Sequence, residues 1–546
     1  EALLRWFIAM AALAACLIYF LRSFVCDRAL SWRRSPMHLF LAASLALPLV
    51  QIFLPRQAVL FLSGTAYAGA TLDAAWNLLA SSAVFWVTVH FFRSEQQVSR
   101  FLRVIFFSGF SVALLGILQN LSRTQKMFWT LEALDDTGSP LGFFATFYNP
   151  NIFSAFIGMV LLLLFGRVLY LQACYGRGEP KRKHEADRLF TLFALVICSG
   201  ALFLSLSRSG IVLFAFTLLV TYLWILVERK KNTRLVVILF AAATFLLLGW
   251  IGLESIFAEL NTLFNLPKDV SLNSRMETWR TAVQYAFSSF PILGAGYGTF
   301  RHVFPLVQII HAAGAWEHAD NEWVQLFFET GLVGVGLAAA MVFFYFRDVN
   351  RLRFEGSDPY LKYHGTGIIG ALLFILMMGF LENNLLITTV SIYAAFIAGL
   401  GLKLRDFQDE ALGVNRISMI PLSGRFRRGF VLTVAAVAFA FAFAGIARPY
   451  LAWRETQKGG RNTVEHLQNA VRLDPLNANH HFWLGMARGV RAFYSRGQWN
   501  EELMREAIQS INHAIRLTPP RGFYYYGLAT LYHQMGDQAQ ASVHYR

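Results

Sequence analysis

The sequence predicts an all-α protein that crosses a membrane many times and ends in a helical-repeat domain. Three observations support this fold class. The 546-residue chain is 56% hydrophobic and only 15% charged, whereas soluble domains carry about 25% charged residues. It contains many apolar runs of membrane-spanning length, and its polar C-terminal segment repeats one short motif. This composition excludes a soluble enzyme, a disordered chain and a secreted disulfide scaffold.

Apolar runs of about 20 residues are needed to cross about 30 Å of hydrocarbon. These runs predict helices, because a sheet with open edges would leave backbone groups unpaired in lipid. We predict about twelve transmembrane helices within residues 1–447, and they lie roughly at 3–23, 37–54, 74–92, 100–120, 151–172, 189–206, 209–227, 234–253, 323–346, 365–381, 385–403 and 429–447.

The orientation follows from the distribution of Lys and Arg between the spans. Basic clusters follow odd-numbered spans, at 181–183, 229–231 and 425–428, whereas the short connections after even-numbered spans carry few cations. The basic side is cytoplasmic in membrane proteins. We therefore predict a multi-pass membrane protein, with the polar loop 254–322 and everything after the last span on the outer side.

Residues 448–546 form a separate polar segment. It contains A-V-R-L-D-P at 470–475 and A-I-R-L-T-P at 514–519, each followed by an aromatic-rich helical pattern. The segment resembles tetratricopeptide repeats, whose unit is about 34 residues, with an insertion of roughly ten residues near 491–500. The repeats would form a short solenoid with a concave face. A generic helical hairpin domain is the alternative.

Charge and cysteine usage restrict the partners. The formal net charge is +15, and in a membrane protein this excess belongs to cytoplasmic loops, so no nucleic-acid partner is predicted. The cysteines at 16, 26, 174 and 198 fit neither a disulfide framework nor a metal site. Because the chain begins at Glu1 and stops at Arg546 within a helical pattern, we expect residues to be missing at both ends.

Two polar tripeptides lie on the predicted outer side. Asn149-Pro150-Asn151 begins the fifth span, where Pro150 suits the first helical turn and Asn149 can cap it. Glu382 lies in Glu382-Asn383-Asn384, between two later spans. Placing polar groups within the membrane costs free energy, so such groups are candidates for function. Both tripeptides also suit plain helix caps.

Arg208 lies in Ser207-Arg208-Ser209-Gly210, between two apolar runs. With no acid nearby in sequence, it either snorkels towards lipid headgroups or binds a phosphate with its bidentate guanidinium.

Arg275 and Arg280 lie in the outer loop, in N-S-R-M-E-T-W-R at 273–280. Five residues separate them, which is about 140° around a helix. One of them can face a site while the other pairs with Glu277.

A histidine lies directly before the ninth span, in the segment Trp316-Glu317-His318-Ala319-Asp320-Asn321. With Glu317 and Asp320 beside it, His318 is a candidate general base or a surface histidine in a polar loop. A metal site built on His318 and other loop histidines does not match usual ligand spacings, and no metal or cofactor is predicted.

Together these motifs resemble the O-antigen ligase/polymerase (Wzy-C) superfamily over roughly residues 100–405. The segments that carry the resemblance are N-P-N at 149–151, S-R-S-G at 207–210, N-S-R-M-E-T-W at 273–279, P-I-L-G-A-G-Y-G-T-F at 291–300, and H-A-D-N-E-W-V-Q-L at 318–326 leading into E-T-G-L-V-G at 329–334.

The resemblance implies an inverting, metal-independent glycosyltransferase of the GT-C class that moves a glycan from an undecaprenyl diphosphate carrier to an acceptor hydroxyl. It also implies that the membrane is the bacterial inner (cytoplasmic) membrane and that the outer side is the periplasm. In this family arginines hold the diphosphate, which here would be Arg208 and Arg275 with Arg280 as a weaker third, and His318 would be the base. Asn149, Asn151, Glu317, Asp320, Asn321 and Glu382 are further candidates for lining the site.

This sequence departs from the family pattern in two places. No arginine precedes the N-P-N within 138–148, so Arg123 or another group would have to substitute. The residues Ala319-Asp320 are inserted after His318, which is expected to shift His318 relative to the following helix.

The resemblance leaves three alternatives for the acceptor, which are a carrier-linked polysaccharide, a protein hydroxyl and a lipid A core. The outer repeats favour a polysaccharide polymerase or an O-glycan transferase, with a possible protein partner at the repeat face, over a core ligase.

A flippase or other transporter would show inverted repeats and charges at mid-span. A shape-and-division type peptidoglycan glycosyltransferase would use an acid such as Asp269 or Asp320, and a non-catalytic scaffold would need neither Arg208 nor His318.

Overall fold

The computed structural model describes residues 2–24, 29–55, 63–132, 142–176, 181–226, 270–308, 316–354, 358–414, 416–421, 424–459, 463–494, 500–518 and 521–545. Helices dominate these residues. The helices up to residue 459 are α1 (Ala2–Arg22), α2 (Met37–Phe53), α3 (Ala68–Phe91), α4 (Glu95–Leu121), α5 (Pro150–Gly176), α6 (Lys181–Leu204), α7 (Arg208–Leu226), α8 (Val270–Ser289), α9 (Phe300–Val303), α10 (Glu322–Phe354), α11 (Pro359–Met378), α12 (Thr388–Ala411) and α13 (Arg425–Gly459).

A helix overlaps each predicted span that lies within the described residues, but α12, which overlaps the span predicted at 385–403, is not among the helices long and apolar enough to cross a membrane. Among the described residues, seven helices are long and apolar enough to cross a membrane, namely α3, α4, α5, α6, α10, α11 and α13, and α1, α2 and α7 contain shorter apolar helices. The prediction of an all-α, polytopic membrane protein is thereby confirmed. The predicted span at 234–253 and the first part of the loop 254–322 lie outside the described residues.

Helix α5 is the centre of the membrane-spanning part. Nearly all of Pro150–Cys174 is buried, more than in any other candidate span among the described residues, and Pro359–Met378 of α11 comes next. It packs against α4, α6, α7 and α11, and its side chains join the largest apolar core of the protein. An apolar helix that is buried on all sides needs no amphipathic pattern, which explains why this run is hydrophobic without periodicity.

Four helix ends meet at one end of this bundle, which we call the site end. There α5, α7 and α10 begin and α11 ends. The backbone N–H of Glu322 donates to the carbonyl of Gly379 at 2.7 Å, which joins the start of α10 to the end of α11. The predicted helix starts of the sequence motifs therefore converge in space.

A buried ion pair closes the opposite end. The two short strands β1 (Ala29–Arg33) and β4 (Ile417–Pro421) pair antiparallel. Arg33, which is fully buried on β1, lies 2.6 Å from Asp406 of α12 and 3.5 Å from Asp348 of α10. A second small ribbon, β2 (Lys126–Met127) with β3 (Leu131–Glu132), follows α4. These ribbons add little to an otherwise helical fold.

The glycine-rich loop, residues 291–300, packs against a kink in α10 at the site end. Gly331 interrupts α10 with φ 61° and ψ −163°, a conformation that only glycine adopts without strain. The loop approaches closely, since a Cβ on Gly331 would overlap the carbonyl of Ile292. The segment 291–300 and the segment 329–334, both part of the family resemblance, thus contact each other directly.

Five further helices follow α13, and they are α14 (Val464–Leu473), α15 (Ala478–Tyr494), α16 (Glu501–Leu517), α17 (Gly522–Gln534) and α18 (Gln538–Tyr545). Each packs on its neighbour in sequence. Helix α13 runs without a break through residue 447, so the predicted boundary between the two domains falls inside a helix. Half of the predicted insertion near 491–500, residues 495–499, lies outside the described residues.

The C-terminal helices rest on the site end. The first N–H of α15, on Ala478, donates to the hydroxyl of Tyr67 at 2.9 Å. The Tyr67 ring in turn meets His302 edge to face, with 4.8 Å between centroids. The C-terminal helices and the glycine-rich loop are therefore parts of one packed unit.

We predict that Gly331→Ala destabilises the protein by about 1–3 kcal/mol, because a side chain is strained at this φ and overlaps the Ile292 carbonyl. Gly336→Ala is the matched control. It lies in the same helix in open space, and alanine is the better helix former. Thermal unfolding in detergent should show a lower midpoint for Gly331→Ala and an unchanged or higher one for Gly336→Ala. Equal midpoints for both variants would contradict the role assigned to the kink.

Candidate functional site

Two capped helix starts form one wall of the candidate site. Asn149 accepts the N–H of Asn151 with its side-chain oxygen at 2.8 Å, at the first turn of α5. Ser207 precedes α7, and its hydroxyl accepts the N–H of Gly210 at 3.2 Å. Asn149 is the side-chain cap that the sequence predicted, whereas the cap by Ser207 was not predicted. Arg208, half-buried, is the first residue of α7.

The two starts are hydrogen-bonded to each other. The Ser207 hydroxyl donates to the Asn151 side-chain oxygen at 2.7 Å, and it lies 3.0 Å from the hydroxyl of Ser154. Gly210 leaves room for Ser154, because a Cβ there would overlap the Ser154 side chain. Arg208 is thereby held next to Asn151, and the N-P-N and S-R-S-G motifs form one polar unit.

The Glu382 carboxylate joins this unit to the loop after α11. Glu382 is only 4% exposed, and one of its oxygens accepts from the Asn151 amide. The same oxygen accepts from Arg275 at 3.1 Å, and Arg275 also donates to the carbonyl of Leu381 at 3.1 Å. Residues from α5 and α8 thus share one acceptor, which the loop after α11 supplies.

Arg275 lies between two carboxylates. Its Nε lies 3.3 Å from Asp320, in addition to the contact with Glu382. Burial raises the pKa of Glu382 to about 6, although Arg275 acts in the opposite direction. Burial also raises the pKa of Asp320 against the effects of Arg275 and His318. Arg275 therefore pairs with acids that are distant in sequence.

The histidine loop is anchored within its predicted insertion and directly after it. The backbone of Ala319 accepts from the Trp279 indole at 2.6 Å and donates to Gln325 at 3.1 Å. Asn321 caps α10 by accepting from the N–H groups of Trp323 and Val324, each at 3.0 Å. The inserted residues are thus part of the packed site rather than a loose bulge.

The remaining predicted residues lie on exposed surface near this loop. Glu317 and His318 are exposed, and His318 is close enough to Asp320 to lower the pKa of that carboxyl. Arg280 is exposed on α8, one and a half turns beyond Arg275. The structure thus brings Asn149, Asn151, Arg208, Arg275, Asp320, Asn321 and Glu382 together, with His318 at the edge of the group.

Three polar residues that sequence reasoning did not select form the layer behind the site. Gln325 accepts from the amide of Asn383 at 2.9 Å and donates to Glu329 at 3.0 Å. Glu329 accepts from the N–H groups of Gly298 and Phe300 in the glycine-rich loop. Gln51 of α2 donates to the carbonyl of Glu329 at 2.9 Å. A buried amide within the apolar run of α2 was the available signal for Gln51.

A comparison with known protein families found one match. Residues 193–339 match the family model described as O-antigen ligase. This range is about a quarter of the chain, and it includes Arg208, Arg275 and His318. No curated protein matches the chain.

The chain is similar to O-antigen ligases over this range. The match supports the O-antigen ligase/polymerase superfamily and suggests a glycosyltransferase-like enzyme. It also implies a lipid-linked glycan and a glycan acceptor as the substrates, and, with the apolar helices, a multi-pass bacterial membrane protein.

We predict that Glu382→Gln flattens the pH dependence of stability. Because the folded pKa is about 6 and the ordinary value 4.5, the folded protein binds this proton more tightly than the unfolded chain. The contribution of Glu382 to stability is therefore greatest below pH 4.5 and falls as the pH rises through about 6, by about 2 kcal/mol.

Thermal unfolding in detergent between pH 4.5 and 7 checks this prediction. Wild-type protein and the control Glu317→Gln, which changes an exposed carboxyl of the neighbouring loop, should lose stability over this window. Glu382→Gln should lose less, since the glutamine carbonyl still accepts from Arg275 without a titrating group. An unchanged slope in Glu382→Gln would refute the assignment.

Proposed function

We propose that this protein transfers a glycan from an undecaprenyl diphosphate carrier to an acceptor hydroxyl at the outer face of the inner membrane. The supporting observation is the Glu382 cluster. Through it, the N-P-N, S-R-S-G and N-S-R motifs and the loop of His318 meet at one end of the helices. The match to an O-antigen ligase model across two of these motifs and the His318 loop supports the same reaction class.

In the proposed reaction His318 is the general base. Its imidazole takes the proton from the acceptor hydroxyl, and the hydroxyl oxygen attacks the anomeric carbon from the face opposite the diphosphate. The bond between the anomeric carbon and the diphosphate oxygen breaks, which inverts the configuration. An exposed histidine at the edge of a polar cluster suits this role, because the acceptor arrives from outside the helix bundle.

Arg208 and Arg275 are proposed to hold the diphosphate, with Arg280 as a weaker third. Charge develops on the leaving diphosphate, and guanidinium groups that are already in place stabilise it without a metal. Arg208 adds its charge at the start of α7, where helical N–H groups also favour an anion. Asn149, Asn151 and Asn321 shape this surface through their caps.

The orientation and the domain division are part of this proposal. We place the site end and residues 448–546 on the periplasmic side, and residues 1–447 in and around the membrane. We also propose that the C-terminal helices are tetratricopeptide-like repeats. Both R-L-x-P segments end a helix in the same way. The backbone N–H of Asp474 donates to the carbonyl of Ala470 at 2.9 Å, and the backbone N–H of Thr518 donates to the carbonyl of Ala514 at 3.0 Å.

The acceptor is proposed to be a carrier-linked polysaccharide or a protein hydroxyl, because a helical domain beside the site can hold a large partner. A lipid A core acceptor is the alternative that the family description favours. A lipid-linked glycan flippase is a further alternative, and it would not form a new glycosidic bond.

A transfer assay separates these candidates. The protein in lipid is given an undecaprenyl diphosphate glycan and, in parallel, carrier-linked glycan, lipid A core or a serine-bearing pilin-like protein, with a chelator present throughout. Product on one acceptor identifies the class and supports metal independence. Donor movement across the bilayer without product on any acceptor would favour the flippase.

We predict that His318→Ala lowers the transfer rate by about 10²–10⁴-fold, the usual effect of removing a general base. Binding of the donor should not change, because the carrier is held by the arginines. Glu317→Gln is the control, since it alters the exposed neighbour and leaves the base in place. Normal transfer by folded His318→Ala would overturn the assignment of the base.

We predict that Arg208→Lys weakens use of the diphosphate donor by about tenfold or more, because lysine keeps the charge but loses the bidentate guanidinium. Arg280→Lys should have a smaller effect, since Arg280 is exposed on α8. The measurement is the rate against donor concentration for both variants. A larger effect at position 280 than at position 208 would reverse the proposed ranking.

A further inference from the structure

The C-terminal helices contain a concave polar surface of their own. A groove of about 450 Å³ lies between α14, α15 and α16. Helix α15 contributes His481, Leu484 and Arg488, and α16 contributes His513 and Arg516. Residues spaced three and four apart lie on one face of a helix. Two helix faces therefore line the groove along its length.

The groove carries excess positive charge. Three guanidinium groups, on Arg472, Arg488 and Arg516, line it against the single carboxylate of Glu506. Arg488 binds Ser510 at 2.9 Å and Glu506 at 3.3 Å. Its buried Nε has no hydrogen-bond acceptor among the described residues. Since a guanidinium offers five donors and accepts none, this lining favours an anionic ligand.

The uncharged lining is rich in hydrogen-bonding groups. Gln468 and Gln509 flank the groove, and the imidazole rings of His481 and His513 lie 4.3 Å apart. Aliphatic contact comes only from Val471 and Leu484 among the lining residues. Grooves that take amphipathic helices or proline-rich peptides are lined with apolar or aromatic side chains, and this groove lacks such a lining. A saccharide, whose hydroxyl groups pair with planar polar side chains, fits it better.

We propose that this groove binds a saccharide chain that bears carboxylate or phosphate groups. Arginine recognises both groups through paired N–H donors. This anionic saccharide would bind to the C-terminal helices, and it is a different ligand from the diphosphate carrier of the proposed transfer reaction.

The groove begins next to the contact between α15 and the site end. Ala478, whose N–H binds Tyr67, is three residues before His481, or about 5 Å along the helix. A saccharide in the groove would start beside the loops that support the proposed site. Its role as the acceptor or product chain rests on the proposed function, whereas the binding itself does not.

Binding to the full-length protein in lipid nanodiscs, without donor, tests the proposal. The probes are hexagalacturonate, the neutral hexasaccharide maltohexaose and hexaglutamate. Hexagalacturonate should bind with a Kd at least about tenfold lower than either of the other two. The variant with Arg472→Gln and Arg516→Gln, both exposed and at the groove, should weaken this binding by about tenfold or more.

Arg505→Gln is the matched control. Arg505 is exposed on the same helix α16, pairs with Glu501, and does not line the groove, so binding should not change. Failure of hexagalacturonate to bind, equal or stronger binding of hexaglutamate, or equal loss in Arg505→Gln would each overturn the proposal. Binding that persists in His318→Ala supports it and separates the groove from the transfer reaction.

Discussion

The buried carboxylate of Glu382 is the constraint on which the site end depends. A carboxylate with 4% exposure is costly unless it is paired and hydrogen-bonded. The Asn151 amide and the Arg275 guanidinium meet that need from two helices that are far apart in sequence. Because Asn151 also binds Ser207, the position of Arg208 follows from the same contact. Removing Glu382 would leave both a buried amide and a guanidinium without their shared acceptor.

A second layer holds this cluster in place. The glycine-rich loop 291–300 wraps around Glu329, and the kink at Gly331 brings α10 against that loop. Tyr67 then connects the same region to α15. The site end is thus supported by close backbone approaches, which explains why two motifs of the family resemblance contain several glycines.

Local features could be predicted from the sequence, because they depend on neighbours in the chain. The apolar run lengths predict the helices, and the cap at Asn149 follows from residue type at a helix start. The partners of Arg275 could not be predicted in this way, since Glu277 was the nearest acid in sequence and Asp320 and Glu382 are brought to it by folding. Gln51 and Glu329 were missed for the same reason, as their partners are backbone groups of a distant loop.

The pairing of Arg275 with two acids has a consequence for any anionic ligand at this site. A diphosphate that approaches Arg275 competes with Asp320 and Glu382, and it would be repelled if both acids kept their charge. Burial already raises the pKa of each of them, so protonation near neutral pH costs less than for an exposed acid. Uptake of a proton by Glu382 would release Arg275 to the ligand while the hydrogen bond to Asn151 persists through the neutral carbonyl. In the proposed reaction the two acids therefore balance the charge of Arg275 until the donor replaces them.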